Sequence, residues 1–244
     1  MNTGCEDEKT LEFIHRCDVE WGLKVVWIEA VVHHNERKGC SHRVVDFKTA
    51  SRKGEPFYEV AKKYGLPNPD FLHCTRELKL NPYLSYLDSI GWKNDCVTAV
   101  GIRSDEIDRM STKKAEKRLW YPLVNLGIDR QAVEDWWDEQ PFKLAIPQYE
   151  GNCKWCYKKT KRKLVQIARN DPKNFDFPKK LERLQERIPP PSGGKRKIFR
   201  KQMTTQDILD LAKDSNVKGY EEENFDYDYE WDGAEGCGDS CELY

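Results

Sequence analysis

The sequence predicts an α/β protein: a partial, doubly wound parallel sheet, followed by a helical C-terminal part and a disordered acidic tail. Two observations carry this reading. Segments rich in β-branched residues alternate with amphipathic helical patterns through the first part of the chain, and such alternation argues a mostly parallel sheet. From residue 215 onward Gly, Asp, Glu and Tyr dominate, a composition that buries too little to fold. A third observation limits the first: only residues 23–32 and 96–102 read as convincing strands, so the sheet looks incomplete.

Taken in order, Thr3 and Glu6 have capping-box spacing, and Leu11, Ile14, Cys17 and Trp21 follow at helical intervals up to Gly22, where a helix would stop. Residues 23–32, with Val25, Val26, Trp27, Ile28, Val31 and Val32, suit a buried strand. Residues 56–64 predict a short amphipathic helix closed by Gly65, residues 76–90 a second closed by Gly91, and residues 96–102 a strand. Asp129 caps a helix bearing Val133, Trp136 and Trp137, which Pro141 stops. A loop with Pro147 and Gly151 leads to Cys153 and then to a basic helix ending near Arg169. Pro178 opens another helix, Pro189-Pro190-Pro191-Ser192-Gly193-Gly194 is a linker by composition, and Thr205 caps a last short helix. The implied organisation is a main domain over 1–170, a helical extension over 171–188, a linker over 189–197, a short helix within 198–214 and an acidic tail over 215–244.

Charged residues make up 34% of the 244 and hydrophobic ones 38%, enough for one sizeable core in a polar chain. No apolar run approaches the roughly 20 residues of a membrane span, and residues 1–6 lack the apolar region of a signal peptide. A cytoplasmic location and no membrane partner are expected. The net charge of −1 conceals a segregation: 17 Lys/Arg against four Asp/Glu over 154–201, then ten acidic and no basic residues over 221–242. The basic stretch is either a solvated helix face or a surface for nucleic acid. Nine cysteines in a reducing compartment point toward metal or redox work rather than disulfides. Cys17, Cys40 and Cys96 are isolated and read as packing residues.

Three constellations carry chemistry. His73-Cys74-Thr75-Arg76-Glu77 opens a helix, and Cys153-Lys154-Trp155-Cys156 precedes a basic one. A CxxC supplies two thiols that hold a metal, form a redox pair or stay inert, and Cys74 is the nearest plausible third ligand. Helix starts and nearby lysines would favour the thiolates. Gly101-Ile102-Arg103-Ser104-Asp105-Glu106, with Arg109 beyond, follows a strand, the place where open α/β sheets bind ligands. It is either a charged surface turn or an anion site, in which Arg103 and Arg109 grip a phosphate or sulfate and Glu106 orients them or acts as base.

The order Asn2-Thr3-Gly4-x-Glu6, Thr10-x-x-Phe13, Cys74 before a helix with Lys79, Gly101-x-Arg103, Pro122-Leu123, Asp129 with Val133-x-x-Trp136, and Cys153-x-x-Cys156 resembles the phosphoadenosine-phosphosulfate-reductase-like family. That family lies within the adenine nucleotide alpha hydrolase-like superfamily, and the likeness is greatest to its shorter members in phage and mobile elements. It covers about residues 1–170. It implies an adenine nucleotide or sulfonucleotide as ligand, with Asn2, Thr3, Gly4 and Glu6 lining the nucleotide crevice and Gly101, Arg103, Glu106 and Arg109 holding the anion. Iron–sulfur members bind a [4Fe–4S] cluster through a Cys-Cys pair and a later CxxC. Here His73-Cys74 stands in the place of the pair, with 78 residues between Cys74 and Cys153. Cys74, Cys153 and Cys156, with His73 at an open position, therefore imply such a cluster or zinc. The family's nucleophile is a cysteine near the C-terminus, for which Cys237 and Cys241 are the candidates, although the tail motif differs and acidic neighbours raise the thiol pKa.

Family members place a strand and a Ser-Gly-Gly phosphate loop ahead of Asn-Thr-Gly, which here begins at residue 2. The favoured expectation is a reading frame that starts upstream or is split, and the alternative is a degenerate remnant that cannot hold a nucleotide tightly. Ser192-Gly193-Gly194-Lys195 looks similar but follows three prolines and opens no strand-to-helix turn. The functional expectation is sulfonucleotide reduction, with a thiol reductant protein as partner, or ATP-dependent sulfur transfer. Alternatives are a sulfur-transfer component that modifies nucleic acid, binding it through 154–201, and a non-catalytic metal-binding interaction protein.

Overall fold

The structure is a computed structural model that describes residues 1–68, 71–93, 95–151, 153–187, 196–199 and 202–220. Helix α1 (Glu8–Trp21) starts at Asp7 rather than Thr3: the Asp7 carboxylate accepts from the Lys9 N–H at 2.8 Å. Thr3 and Glu6 do pair, one turn early. The Glu6 carboxylate accepts from the N–H groups of Thr3 and Cys5 and from the Thr3 hydroxyl at 2.7 Å, so it fixes a separate turn ahead of the helix. Gly22, at φ 61°, ends α1 as expected.

Strand β1 (Trp27–Val31) is shorter than residues 23–32, because Lys24 turns left-handed and Leu23 and Val26 face solvent. It pairs antiparallel with β2 (Ser41–Val45), Trp27 opposite Val45. The sequence hid β2, whose residues are half-exposed and partly polar. Helix α2 (Glu55–Tyr64) closes at Gly65. The expected helix 76–90 is present but composite: α3 (His73–Thr75) widens into one π-helical turn (Arg76–Leu80) before α4 (Asn81–Ser89). Pro82 has no N–H to give the carbonyl four residues back, and the widened turn, with Asn81 N–H bonded to the Arg76 carbonyl, falls just ahead of it. Strand β3 (Thr98–Ala99) pairs in parallel with β4 (Leu119–Trp120). Among the described residues the strands thus form two two-stranded sheets, one antiparallel and one parallel, in a mixed α/β fold.

Helix α5 (Pro122–Asn125) precedes α6 (Arg130–Asp138), which Asp129 caps through the Ala132 N–H at 2.9 Å. Helix α7 (Lys161–Asn170) begins at its cap Thr160, so Cys153 and Cys156 sit in turns ahead of it rather than at its N-terminus. Helices α8 (Asp176–Arg187) and α9 (Thr205–Lys213) follow. Phe57 and Val60 of α2, Leu164 and Ile167 of α7, Phe175, Leu181, Ile198, Phe199 and Ile208 share one buried cluster with Trp155 and Tyr157. Each such side chain contributes about 1.5–3 kcal/mol by leaving water, and together they tie α8, α9 and residues 198–199 to the main body. Within the basic stretch Lys158, Lys159 and Arg162 are buried, and Lys159 donates to the carbonyls of Tyr149 and Gly151. Part of that charge therefore ties the interior together instead of facing solvent. Residues 214–216 and Val217 are anchored through Arg169, which donates to the carbonyls of Asp214 and Val217. Residues 188–195, most of the expected linker, and the tail 221–244 with Cys237 and Cys241 lie outside the described residues.

The N-terminal residues are fixed by Glu29 of β1, which is fully buried. Its carboxylate accepts from Asn2 Nδ2 at 2.6 Å, Ser51 N–H at 2.6 Å, Ser51 Oγ at 3.0 Å and Arg43 Nη2 at 2.6 Å. Burial alone would raise its pKa. The bonds from Ser51, Arg43 and Asn2 outweigh that and hold the carboxyl below its ordinary value. Because the folded pKa is the lower one, this stability is present above the unfolded carboxylate range and is lost as pH falls through the depressed value. We predict that Glu29→Gln lowers unfolding free energy at neutral pH by about 1–3 kcal/mol, and that the difference from wild type shrinks in urea titrations as pH drops below about 4.

Candidate functional site

Three segments distant in sequence meet around the turn that follows Asn2. The Asn2 N–H donates to the Ile28 carbonyl at 2.9 Å, and its side-chain Oδ1 accepts from Gly4 N–H at 3.2 Å. Gly4 takes φ 80°, and an added Cβ would lie 2.9 Å from the Gly54 nitrogen, so the two loops approach closer than a side chain permits. Gly54 N–H in turn donates to the Gly4 carbonyl at 2.9 Å. This packing presents the Thr3 hydroxyl 3.5 Å from Cys153 Sγ.

Cys5, which no spacing in the sequence marked, lies beside Cys153. Burial, then the neighbouring Cys153 and Glu6, push its thiol well above the ordinary value, so it stays protonated. From the far side of the CxxC segment, Cys74 Sγ lies 3.3 Å from the buried Tyr157 hydroxyl. The structure thus brings Cys74 against residue 157 and Cys153 against Thr3. Among the described residues, however, no three His, Cys, Asp or Glu side chains stand close enough together to hold a metal ion. His73 stacks between Tyr64 and Phe71. Burial and the cations Arg76 and Arg196 lower its pKa, and its Nε2 is buried without a hydrogen-bond partner.

A pocket of about 150 Å³ opens beside this turn, between Gly4–Glu6, Arg52–Gly54 and Lys154–Trp155. Arg52 is positioned by the Glu8 carboxylate at 2.8 Å and by the carbonyls of Phe47 and Ala50, and Lys154 by Asp7 at 2.9 Å. Arg52, Lys53 and Lys154 line it against one lining carboxylate, Glu6, and of these cations Arg52 is paired with Glu8 and Lys154 with Asp7. The signal in the sequence was Arg52-Lys53-Gly54 directly ahead of α2, with the glycine left-handed at φ 75°.

The arginine group takes a different form from the one expected. Glu106 bridges both guanidiniums, at 2.5 Å from Arg109 Nη1 and 3.3 Å from Arg103 Nη2, and Asp105 pairs with Arg103 at 3.0 Å. Glu106 therefore orients the arginines, while carboxylates occupy guanidinium edges that an anion would use. Gly101 is exposed, with open space where a Cβ would stand.

No protein-family model matches the chain, and no solved structure does. It is similar to the uncharacterized nin region protein ORF290 of Escherichia phage lambda, 29% identical over 174 residues that make up 70% of this chain and 59% of that protein. It is also similar to an uncharacterized protein of Methanocaldococcus jannaschii, 26% identical over 121 residues, 50% of this chain and 20% of the other. The chain thus spans well under two thirds of the length of each relative. No helix among the described residues is long and apolar enough to cross a membrane.

The Gly4–Gly54 contact yields a direct prediction. Gly4→Ala forces an alanine into the left-handed region and against the Gly54 backbone, and should lower unfolding free energy by about 1–3 kcal/mol, read as a fall in the urea midpoint. Gly101→Ala, with room for its methyl, should leave the midpoint unchanged.

Proposed function

We propose that this chain forms part of an adenine-nucleotide enzyme of the phosphoadenosine-phosphosulfate-reductase-like type, acting by sulfonucleotide reduction or by ATP-dependent sulfur transfer. The observation that carries the reading is the meeting of the Asn2–Glu6 turn with Cys153, 3.5 Å from Thr3, beside a cationic pocket of phosphate size. Two of the motifs that resemble that family, Asn2-Thr3-Gly4-x-Glu6 and Cys153-x-x-Cys156, lie on the segments that meet here. In this reading Lys53 and Lys154 hold the anionic part of the nucleotide, and Glu6 keeps the turn rigid through Thr3 and Cys5. Reduction would release sulfite and draw two electrons from a thiol reductant protein.

The donor chemistry at Cys74, Cys153, Cys156 and the partnerless Nε2 of His73 fits a [4Fe–4S] cluster or zinc, although these donors do not stand as an assembled set. A cluster would supply electrostatic tuning near the anion, and zinc would fix the loops. The Gly101–Arg109 group, already bridged by Glu106, is not the primary anion grip in this reading. Two coarser readings stay subordinate: burial of Lys158, Lys159 and Arg162 takes cations away from a nucleic-acid surface over 154–201, and a purely structural metal leaves the cationic pocket unexplained.

Calorimetric titration with ATP and with adenosine phosphosulfate tests the proposal. Saturable binding of one of them, weakened about tenfold in Lys53→Ala and Lys154→Ala, is the expected result. Binding of neither would remove the nucleotide reading. Iron, sulfide and zinc content of anaerobically purified protein, compared with Cys153→Ser, separates cluster from zinc.

A further inference from the structure

A second and larger cavity, of about 370 Å³, lies between α4 and the β3–β4 pair and shares no lining residue with the pocket at Gly4–Glu6. One wall is apolar, built by Leu80, Leu84 and Leu87. Inside it the Tyr83 and Thr98 hydroxyls are 2.8 Å apart and form a polar pair. Its mouth carries Lys93, Lys117 and Arg118 against a single lining carboxylate, Glu116, with Asp88 3.6 Å from Lys93.

Two features distinguish this space from a packing defect. Its volume of about 370 Å³ falls in the range of ligand sites, which run from about 300 to 1,000 Å³ with apolar walls and a few convergent polar groups. In addition, Arg118 is held left-handed at φ 52°, although it is neither Gly, Asn nor Asp. The Thr98 N–H bond to the Arg118 carbonyl (2.9 Å) and the Leu119 N–H bond to the Lys114 carbonyl (2.8 Å) lock that conformation at the cavity mouth. Backbone strain of this kind concentrates at ligand-binding positions.

We infer that this cavity is a binding site for a nucleoside monophosphate. The base lies against Leu80, Leu84 and Leu87, where every base offers a flat apolar face. The ribose hydroxyls meet the Tyr83–Thr98 pair, which donates and accepts. The phosphate sits at the mouth, where the Arg118 fork matches its charge. The inference needs neither the cysteines nor the pocket at Gly4–Glu6, and it stands if the proposed function fails.

Calorimetric titration of the 244-residue chain with adenosine 5′-monophosphate, adenosine and inorganic phosphate is the test. The monophosphate should bind saturably, with adenosine and phosphate each weaker by about tenfold or more. Leu84→Trp, which fills the cavity, and Arg118→Asn, which removes the charge while tolerating the left-handed backbone, should each weaken it by about tenfold or more. Lys154→Ala, at the other pocket, should leave it unchanged. Arg118 is exposed, so its variant keeps the test decisive if Leu84→Trp does not fold. No binding at millimolar concentration, equal binding by Arg118→Asn, or loss only in Lys154→Ala would each overturn the inference.

Discussion

A single buried carboxylate organises the N-terminal half of this protein. Glu29 is fully enclosed in β1, and an ionised group there is tolerable only because five donors reach it. Those donors come from residue 2, from β2 and from the loop after β2. Satisfying one charge therefore fixes the distance between three pieces of backbone. Glu77 plays a parallel part in the π-helical turn, accepting from Cys40 N–H, Arg76 and Asn81 and so holding the β1–β2 loop on the helix that carries Cys74. Its proximity, after burial, pushes the Cys40 thiol up to about 12, which makes that cysteine an inert packing residue.

The site inherits its geometry from these two anchors. With Asn2 fixed, the Gly4 turn can press onto Gly54, which in turn leaves no room beside Phe177. The CxxC segment is held from the opposite side by Trp155 and Tyr157 in the main buried cluster and by Lys159, whose ammonium caps the carbonyls of Tyr149 and Gly151. The thiols consequently differ in character. Cys5 is kept protonated by burial and by its acidic and thiol neighbours, while Cys153 and Cys74 each face a hydroxyl.

Much of this was legible in the residues, and the rest was hidden for physical reasons. Helices with strong periodicity and clear end signals, such as α2 with Gly65 and α6 with Asp129, were plain in the sequence. The Thr3–Glu6 pair was also legible, but it marks a turn rather than the start of α1, which Asp7 caps instead. Strand β2 escaped because Ser41, His42 and Arg43 give no apolar alternation, and Arg43 is there for Glu29 rather than for the sheet. A shared metal or cluster site of Cys74, Cys153 and Cys156 was expected from the order of motifs, but among the described residues no three such donors stand together. Cys5 and the Arg52-Lys53-Gly54 corner were not expected, since their importance arises only when loops far apart in sequence touch. Spacing likewise could not tell that Arg103 and Arg109 would spend their guanidiniums on Glu106 and Asp105.

The account turns on the Asn2–Glu6 turn lying against Cys153. In a Cys5→Ser background, Thr3→Cys places a thiol where the Thr3 hydroxyl stands, and mild oxidation followed by peptide mass spectrometry reports its partner. A disulfide between the introduced thiol and Cys153, formed readily when the folded protein is oxidised and not when the oxidation is carried out in urea, is the predicted result. An introduced thiol that stays free and alkylatable, or that links elsewhere while Cys153 remains reduced, would contradict the arrangement from which the site is built.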